Sequence, residues 1–388
     1  MQNQPANASI HLTDEALAHS EAVSHHLRLV IEQAGGWVPF SRWMHEALYA
    51  PGLGYYAAGA QKLATRDSLD RVGRATGDFV TAPELSSAFG YTIARQVEQV
   101  ISLPGLDTIL EFGAGSGQLA HDVLSALAAR GLHPEYQILE VSADLAQRQQ
   151  EKLAPFGRQV RWLTELPTSF EGVVLANEVL DAMPAHLVGW DNTSKAIERG
   201  VIWDRGQFAW QAREASDDVL AAMTSCVPPL PGYITEINLQ AQAWVAAMAT
   251  WLNRGVAFLI DYGFPQQEYY HPQRHQGTLM CHVQHLSHAN PLVLPGLQDI
   301  TTHVDFSAMA HAAFDAGLTV MGYASQARFL INAGIVELLP SLSDQDRRGL
   351  DKLISEAEMG ELFKVLAIGR CLDQALVGFA RGDRRHQL

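Results

Sequence analysis

The chain has 388 residues, 47% hydrophobic and 18% charged, which excludes global disorder and allows two or three domains or one large core with insertions. A formal net charge of −15 disfavours phosphate backbones, so no nucleic-acid partner is expected; a neutral or cationic substrate suits it better, though solubility alone explains such a charge equally well. Three scattered cysteines (Cys226, Cys281, Cys371) indicate neither a disulfide framework nor a zinc site, and no apolar run approaches the roughly 18 residues of a membrane span. The polar, acidic start has neither a signal peptide's apolar stretch nor a transit peptide's Arg-rich face, so a cytoplasmic protein without membrane association is expected.

In chain order, residues 1–20 read as a loose leader, and residues 21–50 carry helical periodicity around Leu27, Val30, Ile31, Phe40 and Trp43. The segment APGLGYYAAG (50–59) is turn-rich. In GDFVTAPELSSAFGYTIARQ (77–96) a loop passes into a helix, with Thr81 or Ser86 as N-cap. An alternation of strands and helices follows: TILEF (108–112), a Gly-rich turn and a helix; YQILEV (136–141) and a helix over 143–153; QVRWL (159–163); GVVLAN (172–177); VAFLIDYG (256–263). LTVMGYAS (318–325) and ELFKVLAIGR (361–370) read as two more strands. Units of this spacing imply an α/β fold with a parallel sheet and right-handed crossovers. Residues 1–100 form an N-terminal helical extension, 101–184 the first part of the core, and 251–388 its second part, interrupted by an insertion at 264–306. Residues 185–250 read as an insertion and substrate-facing lobe, in which ERGVIWDRGQFAWQ marks a hairpin.

The segment Glu111-Phe112-Gly113-Ala114-Gly115-Ser116-Gly117 follows a strand and opens a helix. Its glycines let backbone amides approach a ligand at a helix N-terminus. A dinucleotide fingerprint requires a third glycine where Gln118 stands, which disfavours a nicotinamide enzyme. The pattern ExGxGxG instead resembles motif I of class I methyltransferases, which binds the methionine and ribose parts of S-adenosylmethionine, with Glu111 under the sulfonium end; a plain strand–helix turn is the alternative. Glu140, about twenty residues beyond the loop, can accept both ribose hydroxyls. Asn177 and Glu178 end the fourth strand, on the side where ligands bind in such sheets, and Asp181 three residues on would share a helical face with Glu178. Two carboxylates there could grip an arginine guanidinium bidentately; an acidic helix start that complements the dipole is the alternative.

With LYAPGLGYY (48–56), GDFVTAPELSSAFG (77–90), LEFGAGSG (110–117), NEVLDAMP (177–184), TEINLQAQAW (235–244), LIDYGFP (259–265), GTL (277–279), PGLQDITTHVDF (295–306) and GELFKVLAIG (360–369), the chain resembles the MidA-like methyltransferase family from about Gly35 to Arg370. That family includes the mitochondrial complex I assembly factor that symmetrically dimethylates an arginine. The resemblance implies a Rossmann-like class I core with a mostly parallel seven-stranded sheet, S-adenosyl-L-methionine as cofactor, S-adenosyl-L-homocysteine as product, and a protein substrate presenting arginine. It implies that GDFVTAPELS covers the cofactor through Asp78, Thr81 and Glu84, and that DITTHVDF lies near the acceptor, where His303 could take a proton. Methylation of a small molecule or another side chain, and a non-catalytic assembly factor keeping the fold, stay open, as does a homodimer. His282, His285 and His288 are spaced like metal ligands, but no carboxylate or cysteine completes a site, so no metal is assigned.

Overall fold

A computed structural model of the chain describes residues 12–58, 81–284 and 286–388. The core is one sheet of β1 (Thr108–Phe112), β2 (Glu135–Leu139), β3 (Val160–Leu163), β4 (Phe170–Asn177), β5 (Leu252–Phe264), β6 (Thr319–Ser325) and β7 (Phe363–Arg370). Its strand order is β6-β7-β5-β4-β1-β2-β3, and the short strand Val304–Asp305 adds in parallel at the end of β5. β1 to β5 run parallel; β7 lies antiparallel to both β5 and β6.

Strict alternation sends successive side chains to opposite faces, and here both faces are buried, so the strands read as unbroken apolar runs. Ile109, Val173 and Leu175 enter one core with helices Ser87–Ile101 and Gln118–Ala128. Leu110, Val174 and Ala176 enter the other with helices Leu239–Trp251 and Phe306–Asp315. The order reverses between β1 and β4, and a crevice opens beyond their C-terminal ends, where open α/β sheets bind ligands.

Two further layers lie beyond the core sheet, and His45 and Tyr49 of one and Met280, His282 and Asp299 of the other reach the crevice. The hairpin Ala196–Asp204/Gln207–Glu214 forms as expected, turning through Arg205 and Gly206 at φ 47° and 85°, both positive as a type I′ turn needs. It joins His186–Trp190, Ile234–Ile237 and Val38–Pro39 in a second sheet. Helices Asp14–Gln33 and Phe40–Tyr49 share a core with that sheet through Val23, Leu27, Ile31, Phe40, Trp43, Leu187 and Val201. The first helix starts at Asp14, capped by the Thr13 hydroxyl, so residues 14–20 are helix rather than leader. Those two turns carry an exposed Leu17 and a Ser20 buried through its bond to the Pro295 carbonyl, which hides the helical period from an apolar pattern. Met280–Val283, Leu286–His288 and Asp299–Thr301 form a third, three-stranded sheet over the crevice. The Glu236 carboxylate ties it to the lobe, accepting from the amides of Thr278 and Leu279, the Thr278 hydroxyl and the Tyr269 hydroxyl.

Candidate active site

The loop after β1 places Gly113, Gly115 and Gly117 at φ 60°, 54° and 78°, a left-handed run that side chains resist. The Gly113 amide donates to the Leu139 carbonyl at the end of β2 and the Gly117 amide to Ala114. Gly117 caps the helix Gln118–Ala128. The crevice above this loop has a volume of about 810 Å³, within the range of small-molecule and cofactor sites. Thr81, Glu84, Glu111, Gly113, Ala114, Gly115, Glu140, Asn177, Glu178, Asp181 and His303 all line it. Gly117 does not, acting from beneath as the helix cap, and Asp78 lies outside the described residues.

Glu111 is buried and accepts from the Tyr136 hydroxyl at 2.7 Å; burial pushes its carboxyl up to about 8. Glu140, at the end of β2, accepts from the Ser142 amide at 3.0 Å and from Gln149 Nε2 at 2.9 Å, with its pKa raised by burial. Gln149 Nε2 also donates to the Gly115 carbonyl, and Gln149 Oε1 accepts from Trp162, so one amide locks the glycine loop to Glu140. The Ser116 hydroxyl donates to Glu84, tying the short helix Ala82–Leu85 over the same loop.

No helix follows β4. Residues 178–185 form an irregular turn, and Glu178 itself takes φ 54°, so it does not share a helical face with Asp181. Tertiary bonds override the helical spacing: the Glu178 amide donates to the Ile260 carbonyl, and Asp261 Oδ2 accepts from the amides of Leu180 and Asp181. The turn still brings both carboxyls to the crevice. Glu178 Oε1 accepts from the Ala82 amide and Asn177 Nδ2; burial, then Asp181, pushes its pKa up to about 8. Asp181 Oδ2 accepts from the Tyr262 hydroxyl at 2.5 Å, while its buried Oδ1 has no partner. Burial also raises Asp181, and raises Asp261 well above the carboxylate range.

His303 stacks on Phe264 with ring centroids 5.3 Å apart. Burial, then Arg274 and Lys364, pushes it down to about 4, so it stays neutral near pH 7 and is a weaker proton acceptor than an ordinary imidazole. Sequence reasoning assigned no role to Gln149, Asp261, Tyr262, Tyr49, Tyr56 or Asp299. Asp261 and Tyr262 stand in LIDYGFP, and the two tyrosines in LYAPGLGYY, so the signal was present as unexplained motif residues.

The residues fit a cationic nucleoside. Among the described residues Glu111, Glu140, Glu178, Asp181 and Asp261 make no ion pair, and buried Oδ1 atoms of Asn177 and Asp181 lack hydrogen-bond partners. Buried polar atoms rarely stay unpaired, and a ligand's hydrogen-bond donors in the crevice would satisfy these two. A sheet of this order, with a glycine loop after β1 and an acid ending β2, defines the class I S-adenosylmethionine-dependent methyltransferase fold. Residues 92–324 match the family model described as an S-adenosyl-L-methionine-dependent methyltransferase, and the chain belongs to that family. It is similar to a Burkholderia thailandensis protein crystallised with S-adenosyl-homocysteine, with 47% identity, a TM-score of 0.91, and 98% of this chain and 100% of that one covered. It is 28% identical to the protein arginine methyltransferase NDUFAF7 homolog, mitochondrial, of Drosophila melanogaster, over 86% of this chain and 82% of that one. It is 27% identical to protein arginine methyltransferase NDUFAF7, mitochondrial, of Danio rerio, over 86% and 84%. The chain is an S-adenosylmethionine-dependent methyltransferase. These relatives, both named as mitochondrial, overturn the expectation of a cytoplasmic protein.

Proposed function

We propose that this methyltransferase acts on the guanidinium of an arginine in a protein substrate. The observation that carries the reading is the pair Glu178 and Asp181: two carboxyls beside the cofactor loop with no cation to neutralise them among the described residues. The arginine methyltransferases of fly and zebrafish support it.

When bound, S-adenosylmethionine supplies an electrophilic methyl carbon; Gly113, Ala114 and Gly115 would cradle its methionine end, Glu140 its ribose, and Glu84, Thr81 and Asn177 would flank it. A guanidinium is planar and permanently charged, and its delocalised lone pairs make it a poor nucleophile. Carboxylates that take two of its N–H groups concentrate positive charge on those nitrogens and leave density on the third. Glu178 and Asp181 would do this, and they would hold one nitrogen in line, where much of the rate comes from positioning. Asp261 fixes the turn carrying both acids through the Leu180 and Asp181 amides, and Tyr262 orients Asp181. The acceptor nitrogen sheds a proton after transfer, and Glu178, a carboxyl lining the same crevice, would take it.

Tandem mass spectrometry of proteomes from cells with and without the gene tests this. Loss of methylation at defined arginines is expected. An unchanged arginine methylome, with methylation lost from a small molecule or another side chain, contradicts it.

A further inference from the structure

The motif LYAPGLGYY (48–56) is far from the cofactor loop in sequence, yet the fold brings it to the acceptor end of the crevice. The helix Phe40–Tyr49 ends at Tyr49, and the chain doubles back so that the Tyr55 amide donates to Ala47 and the Tyr56 amide to Leu48. Gly54 makes this reversal possible: a Cβ there would lie 2.5 Å from the Leu48 carbonyl. The result is a stack of Tyr49 on Tyr56, with ring centroids 5.5 Å apart and planes at 24°. Both rings line the crevice.

The hydroxyls pin the stack to the acidic turn on one side and to the roof on the other. Tyr49 donates to the carbonyl of Ala182, the neighbour of Asp181, at 3.0 Å. Tyr56 donates to Asp299 Oδ1 at 2.8 Å, and Asp299 also lines the crevice. Burial and then Asp299 raise both phenols, with Asp181 adding to each, so they stay neutral hydroxyls. Beside them the buried Asp181 Oδ1 has no partner. An aromatic stack backed by carboxylates suits a planar delocalised cation, which lies flat on a ring and is weakly hydrated; an ammonium is drawn to the same ring faces but cannot stack on them and gives up more hydration.

Building on the arginine reading above, we infer that the Tyr49–Tyr56 stack with Asp299 is the specificity wall of the acceptor site, selecting a guanidinium-bearing side chain over an ammonium one. The N-terminal extension and the roof insertion thereby set the substrate class, while the sheet supplies the cofactor site.

Ethylguanidinium and n-butylammonium serve as side-chain probes, titrated by calorimetry into full-length protein saturated with S-adenosyl-homocysteine. Wild type is expected to bind ethylguanidinium more tightly than butylammonium. Tyr49→Leu and Tyr56→Leu should each weaken ethylguanidinium by about three- to thirtyfold, the range of one cation–π contact, and butylammonium by less, so that the preference between the two probes falls. Tyr49→Phe, which keeps the ring, should retain most of the affinity. Undiminished S-adenosyl-homocysteine affinity shows that a variant is folded; if a leucine variant fails that check, the isosteric Asp299→Asn replaces it, and its loss of guanidinium preference supports the wall. Wild-type preference for ethylguanidinium left intact in the variants overturns the wall but spares the arginine reading. No binding of ethylguanidinium by wild type sinks both.

Discussion

Glu178 is a non-glycine residue at φ 54°, a conformation that costs energy and persists where tertiary structure enforces it, often at functional sites. Its carboxyl rises to about 8 because burial and Asp181 disfavour the charge. The ionised form is the one that binds a cation, so affinity for ethylguanidinium should rise about tenfold per pH unit below 8 and level off above it, as calorimetry across pH 6–9.5 will read. A flat profile would remove Glu178 from the site. Glu178→Gln is isosteric and cannot carry the charge. It should cut methyl transfer by about a hundredfold or more while S-adenosyl-homocysteine affinity changes little, in a single-turnover assay with labelled cofactor. His303 stays neutral above about pH 5, its pKa lying near 4, so His303→Asn should not shift the pH profile between 6 and 9. A shifted profile would assign it the role of proton acceptor.

At the scale of elements, the glycine loop and the roof clamp make separable claims. Gly115 takes φ 54°, where a β-branched residue is strained and would distort the loop that lines the crevice. Gly115→Val should therefore abolish measurable S-adenosyl-homocysteine binding in a protein with wild-type circular dichroism; retained affinity would count against the loop. Glu236 holds the roof through Thr278 and Leu279, and the Thr278 hydroxyl accepts the His303 amide. Glu236→Ala strands these half-buried donors and should cost about 2 kcal/mol, with faster amide exchange at Thr278 and Leu279. Unchanged exchange would mean that other contacts hold the roof. The core was legible because strands buried on both faces read as plain apolar runs, and the glycine loop because its φ values demand glycine. The turn after β4 was not, since acids at i and i+3 look helical and only bonds to Ile260 and Asp261 show otherwise. Nor was the meeting of Tyr56 with Asp299, 243 positions apart, because no local period reports a contact made across layers.

For the molecule as a whole, carboxyl burial links function to stability. Glu111 and Glu178 both have folded-state values near 8, against 4.5 for an ordinary glutamate, so the folded state binds more protons than the unfolded state between these values. Folding stability of cofactor-free protein should therefore fall as pH rises from about 4.5 to about 8 and flatten beyond. Glu111→Gln should remove part of that slope, and a wild-type melting temperature that climbs across the window would contradict the assignment. Burying these carboxyls costs stability, and the crevice that holds them is walled by the N-terminal extension and the roof above the parallel sheet. Its purpose is tested most directly with a peptide library presenting arginine, lysine, histidine or glutamine, incubated with methyl-13C-labelled S-adenosylmethionine and read by tandem mass spectrometry. Label on arginine nitrogens alone, lost in Glu178→Gln, is the predicted result. Label on another side chain, or equal labelling of arginine by Glu178→Gln, would contradict it.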